Sequence, residues 1–132
     1  RNEYNITTPY ILYLGVWRDH KNVIGLVKAF ELLCQQGNVT HSLVLAGKPD
    51  AGYPEIPAYI NASTVRVRII APGFISDQHL PALYAGADVF VLPSFNEGFG
   101  LVAAIQQHLH QKAVILLELK SNHSLQNLEK VH

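Results

Sequence analysis

Two stretches of this 132-residue chain set charge beside glycine in a way that suits an anionic ligand. GVWRDHKN, residues 15–22, carries Arg18 and Lys21; SFNEGFG, residues 94–100, carries Glu97 followed by Gly98, Phe99 and Gly100. Arginine presents a fork of donors and lysine a point charge, so the first stretch can hold phosphate oxygens. The second reads as the mouth of a helix, where N–H groups and the helix dipole favour phosphate and glycine lets a ligand approach the backbone. Glu97 would repel phosphate there and makes better chemical sense as an acceptor for sugar hydroxyls. The combination fits a sugar joined to a diphosphate. Plainer roles stay open on spacing alone: Lys21 as a solvated cation, Glu97 as a charge favouring a helix start, Gly98 and Gly100 as turn residues, Phe99 as core.

The elements that would position these loops follow from periodicity. Tyr10–Leu14 (YILYL) is an apolar run stopped by Gly15, and SLVLAG at 42–47 is a second run ended by glycine; both read as strands buried on two faces. Between them Val23, Ile24, Val27, Phe30 and Cys34 fall at helical spacing, with Asn22 as N-cap and Gly37 as stop. A loop with a short helix near Ile60 follows. Residues 65–70 alternate, predicting a strand with Val65, Val67 and Ile69 on one face and Arg66 and Arg68 on a wetter one. A helix capped by Ser76 or Asp77 runs through Ala87, with Leu80, Leu83, Tyr84 and Ala87 inward. Strands at 88–94 and 113–117 flank a helix from about Gly98 to His110, and the tail from Ser121 reads as a weak helix. Strands alternating with helices predict one α/β domain, a Rossmann-like doubly wound parallel sheet. In such a sheet ligands sit beyond the carboxyl ends of the strands where the strand order reverses, so the loops after the first and fourth strands should face each other.

Composition narrows the function classes. Charged residues make up 15% of the chain and the formal net charge is zero, which argues against general nucleic-acid or membrane-surface binding. No apolar run reaches the length of a membrane span and no signal pattern opens the sequence, so a cytoplasmic location is expected. The lone Cys34 excludes an internal disulfide and is expected as a buried, inert thiol. His108 and His110 point to different helix faces and no metal-ligand spacing is found, so no metal site is expected. The phosphate-loop pattern G-x-x-x-x-G-K-[ST] and the G-x-G-x-x-G fingerprint are both absent.

GFISDQHLPALYAGADVFVLPSFNEGFGL, residues 73–101, closely resembles the donor-domain signature of retaining GT-B glycosyltransferases of the large sucrose synthase and mannosyltransferase-like family, the glycosyl transferases group 1. YLGVWRDHKNVIGLVKAFELL, residues 13–33, and LVLAGKPD, residues 43–50, are similar to the same family's first strand, phosphate loop and helix and its next strand. The resemblance spans roughly residues 8–105. It implies a nucleotide-sugar donor half. Arg18 and Lys21 would hold the diphosphate, and Glu97, Gly98, Phe99 and Gly100 would meet the donor sugar. Gly15, Phe74, Ile75 and Leu101 would lie at the nucleotide, the 74–76 loop offering backbone groups to the base. It implies no metal cofactor, since Arg and Lys replace one.

The chain also departs from the family. The second glutamate of the family's E-x7-E motif, which binds ribose, is replaced by Ile105, and the sequence after about Val102 diverges. The absence of methionine and the start at Arg1 suggest a fragment that lacks its N-terminal acceptor domain and C-terminal elements. Such a fragment is expected to be inactive alone and able to self-associate through its shortened end. The alternative is a non-catalytic, truncated or engineered domain with little nucleotide binding.

Overall fold

The computed structural model describes residues 4–7, 9–37, 39–93, 113–116 and 129–131. Strands β1 (Tyr10–Leu14), β2 (Ser42–Ala46), β3 (Ile69–Gly73), β4 (Val89–Leu92), β5 (Ala113–Leu116) and β6 (Glu129–Val131) form one sheet in the order β3-β2-β1-β4-β5-β6. The first five are parallel, and β6 runs antiparallel to β5. The chain winds outward from β1 to β3, then returns to place β4 on the other flank of β1. This reversal of strand order is the doubly wound plan.

Helix α1 spans Val23–Gln35, α2 Glu55–Ala62 and α3 Leu80–Gly86. Side chains of one strand alternate between two apolar layers. Ile11 and Tyr13 of β1, with Leu43 and Leu45 of β2, pack against α1 and α2. Tyr10 and Leu12, with Val44 and Ala46, pack on the opposite face against Ile75, Leu83 and Ala87. Both faces are covered, which is why these strands read as unbroken apolar runs. On α1, Val23, Leu26, Val27, Phe30 and Leu33 are buried, the spacing of a single helical stripe. Phe30 is wholly enclosed, and its truncation to alanine should cost about 3–5 kcal/mol.

Several expectations are corrected. Residues 65–68 are not strand: Arg66–Arg68 form a 3-10 turn, β3 begins at Ile69, and Val67 is 93% exposed rather than inward. The arginines decide this. Arg68 turns inward and donates to the carbonyls of Val39 and His41 at 2.7 Å each and to Cys34 Sγ at 3.1 Å. Arg66 donates to the Ile69 carbonyl at 2.8 Å. Apolar alternation therefore misread the inward-bonding Arg68 as part of a wet face, while Arg66 is exposed as expected. Cys34 is half-buried and not fully enclosed, and its thiol pKa is pushed up, mainly by burial. Tyr84 is exposed, resting edge-on against Phe90 with ring centroids 5.0 Å apart. Residues 77–79 form a 3-10 turn ahead of α3, with no side-chain cap from Ser76. At the tail, residues 129–131 pair with β5 as a strand instead of continuing a helix, which covers the edge that β5 would otherwise expose. The helix expected from Gly98 to His110 lies outside the described residues. Among the described residues no helix is long and apolar enough to cross a membrane.

Candidate functional site

The carboxyl ends of β1, β2 and β3 close on glycine: Gly15 follows β1, Gly47 follows β2, and Gly73 ends β3. Their backbones continue the sheet pattern one step further. Gly15 N–H donates to the Ala46 carbonyl at 3.1 Å, Gly47 N–H to the Gly73 carbonyl at 2.8 Å, and Trp17 N–H to the Lys48 carbonyl at 3.2 Å. Gly47 is required here. Its φ is +112, and a Cβ on it would run into the Gly15 carbonyl.

The loop after β1 carries both predicted phosphate ligands. Arg18 is surface-placed, with 47% of its side chain exposed, and its Nε donates to Asp50 Oδ2 at 2.6 Å. Asp50 also accepts the Gly52 N–H at 2.8 Å. Its pKa is held below the ordinary carboxylate value, first by that backbone bond and then by Arg18. The Asp50 bond engages one donor of a guanidinium that has five, so the fork is oriented and not consumed. Lys21 ends a 3-10 turn, its N–H donating to the Arg18 carbonyl at 2.9 Å. The Tyr13 hydroxyl donates to the Val16 carbonyl at 2.8 Å, fixing the loop from below; burial pushes its pKa well above the usual tyrosine value. Trp17 is buried, and its indole N–H finds no acceptor among the described residues.

Asn22 stands in the N-cap position of α1 but does not cap it. The residue is left-handed (φ 59, ψ 39), makes no side-chain cap bond, and sends Nδ2 to the Pro93 carbonyl at 2.9 Å. It links the β1 loop to the chain leaving β4.

Phe74, just past β3, is 65% exposed. Ile75 is buried beside Tyr10 and Leu83, so its side chain is core and only its backbone can meet a ligand. Ser76 Oγ and the Tyr4 hydroxyl lie 3.0 and 2.7 Å from His79 Nδ1. A cavity of about 30 Å³ lies below this loop, between Tyr4, Ile75 and Leu83, with room for little more than one water. Thus the structure brings Gly15, Arg18, Lys21, Phe74 and Ile75 to one end of the sheet. Glu97, Gly98, Phe99, Gly100, Leu101 and Ile105 lie outside the described residues. Among the described residues no cluster of three His, Cys, Asp or Glu side chains is placed to hold a metal ion. Sequence reasoning missed Asp50 and the true role of Asn22. The tolerance of asparagine for left-handed backbone was the available signal for the latter.

The family model for glycosyl transferases group 1 matches residues 1–104. The chain belongs to this family. The O-antigen chain mannosyltransferase B of Escherichia coli is 37% identical to this glycosyl transferases group 1 chain over 92 residues, covering 70% of the chain and 24% of that enzyme. A serotype-specific mannosyltransferase, WbdA, of the same organism is 33% identical over 76% of the chain and 13% of its own length. The chain thus spans a quarter or less of the length of these relatives. Among solved structures, the C-terminal domain of a group 1 family protein (LpcC) from Francisella tularensis superimposes with a TM-score of 0.60, at 20% identity over 87% of this chain and 60% of that one. Anabaena Alr3699/HepE, solved in complex with UDP and glucose, gives a TM-score of 0.56 at 18% identity, over 77% of this chain and 29% of that one. These likenesses establish the Rossmann-like half of a GT-B architecture.

Proposed function

We propose that this domain binds the nucleotide-diphosphate sugar donor of a retaining glycosyltransferase at the carboxyl ends of its strands. The observation that carries the reading is the meeting of β1 and β4 at the reversal of strand order, with Arg18 and Lys21 on the loop at that point. The diphosphate is gripped by Arg18 and Lys21, the base lies toward Phe74 and the backbone of Ile75, and Gly15 leaves room for the phosphates. Glu97, Gly98, Phe99 and Gly100 contact the sugar, and Leu101 packs near the nucleotide. In the transfer step an acceptor hydroxyl forms a bond to the anomeric carbon while the bond from that carbon to the diphosphate oxygen breaks. The electron pair leaves on the phosphate oxygen, whose growing charge the two cations stabilise and which takes up the proton released by the acceptor hydroxyl. Positioning supplies the rest, and no metal is required. A separate domain supplies the acceptor, which leaves the present chain inactive alone; no nucleic acid takes part.

The mannosyltransferases among the relatives make a mannose-bearing donor the first to test. Calorimetric titration with UDP, GDP and ADP tests the reading. One of them should bind, binding should survive chelation of divalent metal, and Lys21→Ala should weaken it by about 1.5–3 kcal/mol without moving the thermal midpoint. Equal affinity in Lys21→Ala and the parent would remove Lys21 from the site. A second reading, a domain with little nucleotide affinity, is favoured by Ile105 in the place of the ribose-binding glutamate. Under it, none of the three nucleotides binds.

A further inference from the structure

β1 is held along its whole length on one side and only part of the way on the other. Its register with β2 runs from Tyr10↔Ser42 to Leu14↔Ala46. With β4 the register comprises Ile11↔Val89 and Leu12↔Phe90 and goes no further. Above Leu12 the β1–β4 pairing stops two residues short of the strand ends, on the approach to the two crevice loops. A side chain takes over there, the Asn22 Nδ2 donating to the Pro93 carbonyl at 2.9 Å across 71 residues of sequence.

Four features of the chain serve this bond. The left-handed backbone of Asn22 ends the 3-10 turn that carries Lys21, with its N–H donating to the Asp19 carbonyl at 2.9 Å. Its own carbonyl accepts the Leu26 N–H at 3.1 Å, so α1 starts from the same residue. The carboxamide lies over Gly25, where any Cβ would run into it. Pro93 is itself buried, so the acceptor is a fixed point.

We propose that Asn22 is a positioning residue that ties the loop after β1 to Pro93 at the end of β4 and so holds the Lys21 loop in place for the diphosphate. This rests on the donor-binding reading for its consequence in affinity, but not for the bridge itself. Lys21 is the neighbour of the bridging residue, and the chain leaving Pro93 leads to Glu97. The bridge therefore fixes the bases of the two loops relative to each other before any ligand arrives, which lowers the ordering cost of binding. Helix capping does not account for Asn22, because its side chain makes no cap bond. Completing the local turn does not account for it either, because glycine would serve that purpose as well.

Two variants of the full chain separate these roles. Asn22→Asp keeps the size and tolerates the left-handed backbone, but its carboxylate cannot donate to Pro93 at neutral pH. In nucleotide-free hydrogen exchange it should speed the amides of residues 19–23 by about fivefold while residues 27–33 inside α1 stay protected. Unchanged exchange at 19–23 would overturn the bridge; if this variant does not fold, Asn22→Gly is judged by the same criterion. Asn22→Gly keeps the turn, adds no charge and removes the amide. It should bind whichever nucleoside diphosphate the parent binds about fivefold more weakly, with residues 27–33 of α1 as well protected from exchange as in the parent. Equal affinity would overturn the positioning role. If the parent binds none of UDP, GDP and ADP, the donor-binding reading and with it the positioning role fall, and the exchange result still decides whether the bridge exists.

Discussion

The two ends of the sheet treat polar groups in opposite ways. At the amino ends, His41 is fully buried with its Nε2 2.9 Å from Asp88 Oδ2, and Arg68 donates to the carbonyls of Val39 and His41. At the carboxyl ends, Arg18 and Lys21 ride on a surface loop beside glycine backbones, and Phe74 stands exposed. Polar groups paired with one another, as at the amino ends, are committed to holding the fold. Cations on a loop held by backbone bonds keep donors available at little ordering cost. On the proposed reading the chemistry of this domain belongs to the carboxyl end, and the amino end serves to close the fold.

The comparison can be broken most severely at Gly47. Gly47→Ala combines a disfavoured backbone with a collision against the Gly15 carbonyl, so a loss of about 3 kcal/mol or more is expected in urea denaturation. A loss below that of Gly73→Ala would show that the strand ends are not packed as described. Arg68→Ala comes next. It strips donors from the Val39 and His41 carbonyls and should cost about 2 kcal/mol, yet leave nucleoside-diphosphate affinity unchanged in calorimetry. Weakened binding in that variant would join the two ends functionally. Gly73→Ala is milder, about 1–2 kcal/mol, because its φ of +84 is strained for alanine while open space surrounds the added methyl.

The smallest effect concerns Asp50. Its folded pKa is depressed, so its contribution is present above the ordinary carboxylate range and lost as pH falls through the lowered folded value. The parent should exceed Asp50→Asn slightly in stability at neutral pH, with the difference vanishing in acid and shrinking in high salt. A difference that persists below the carboxylate range would contradict the ion-pair account.

Much of this arrangement was legible in the sequence. Apolar runs ending in glycine located β1 and β2, and the spacing of Val23, Val27 and Phe30 located α1. The strand order placed the β1 and β4 ends together, as the alternation of elements implied. The failures came where polar side chains act at long range. Arg68 looked like a solvent-facing strand residue because its acceptors, Val39 and His41, are 29 and 27 residues away. Asn22 looked like a helix cap because its acceptor, Pro93, lies 71 residues away, just past β4. Arg18 was recognised as a cation, but its partner Asp50 sits 32 residues on, in a loop set beside the β1 loop by backbone contacts such as Trp17 N–H to the Lys48 carbonyl. Local patterns reveal which residues are apolar, and the fold decides which polar groups meet.

The central claim, that one end of the sheet holds the donor, is tested most directly by mapping backbone amide chemical shifts during titration with UDP, GDP and ADP. The account predicts that one nucleotide shifts the amides of residues 15–22 and 73–76 together, leaving residues 39–41, 66–68 and 88 unmoved. Shifts centred on the amino ends, or no concerted shift with any of the three, would contradict it.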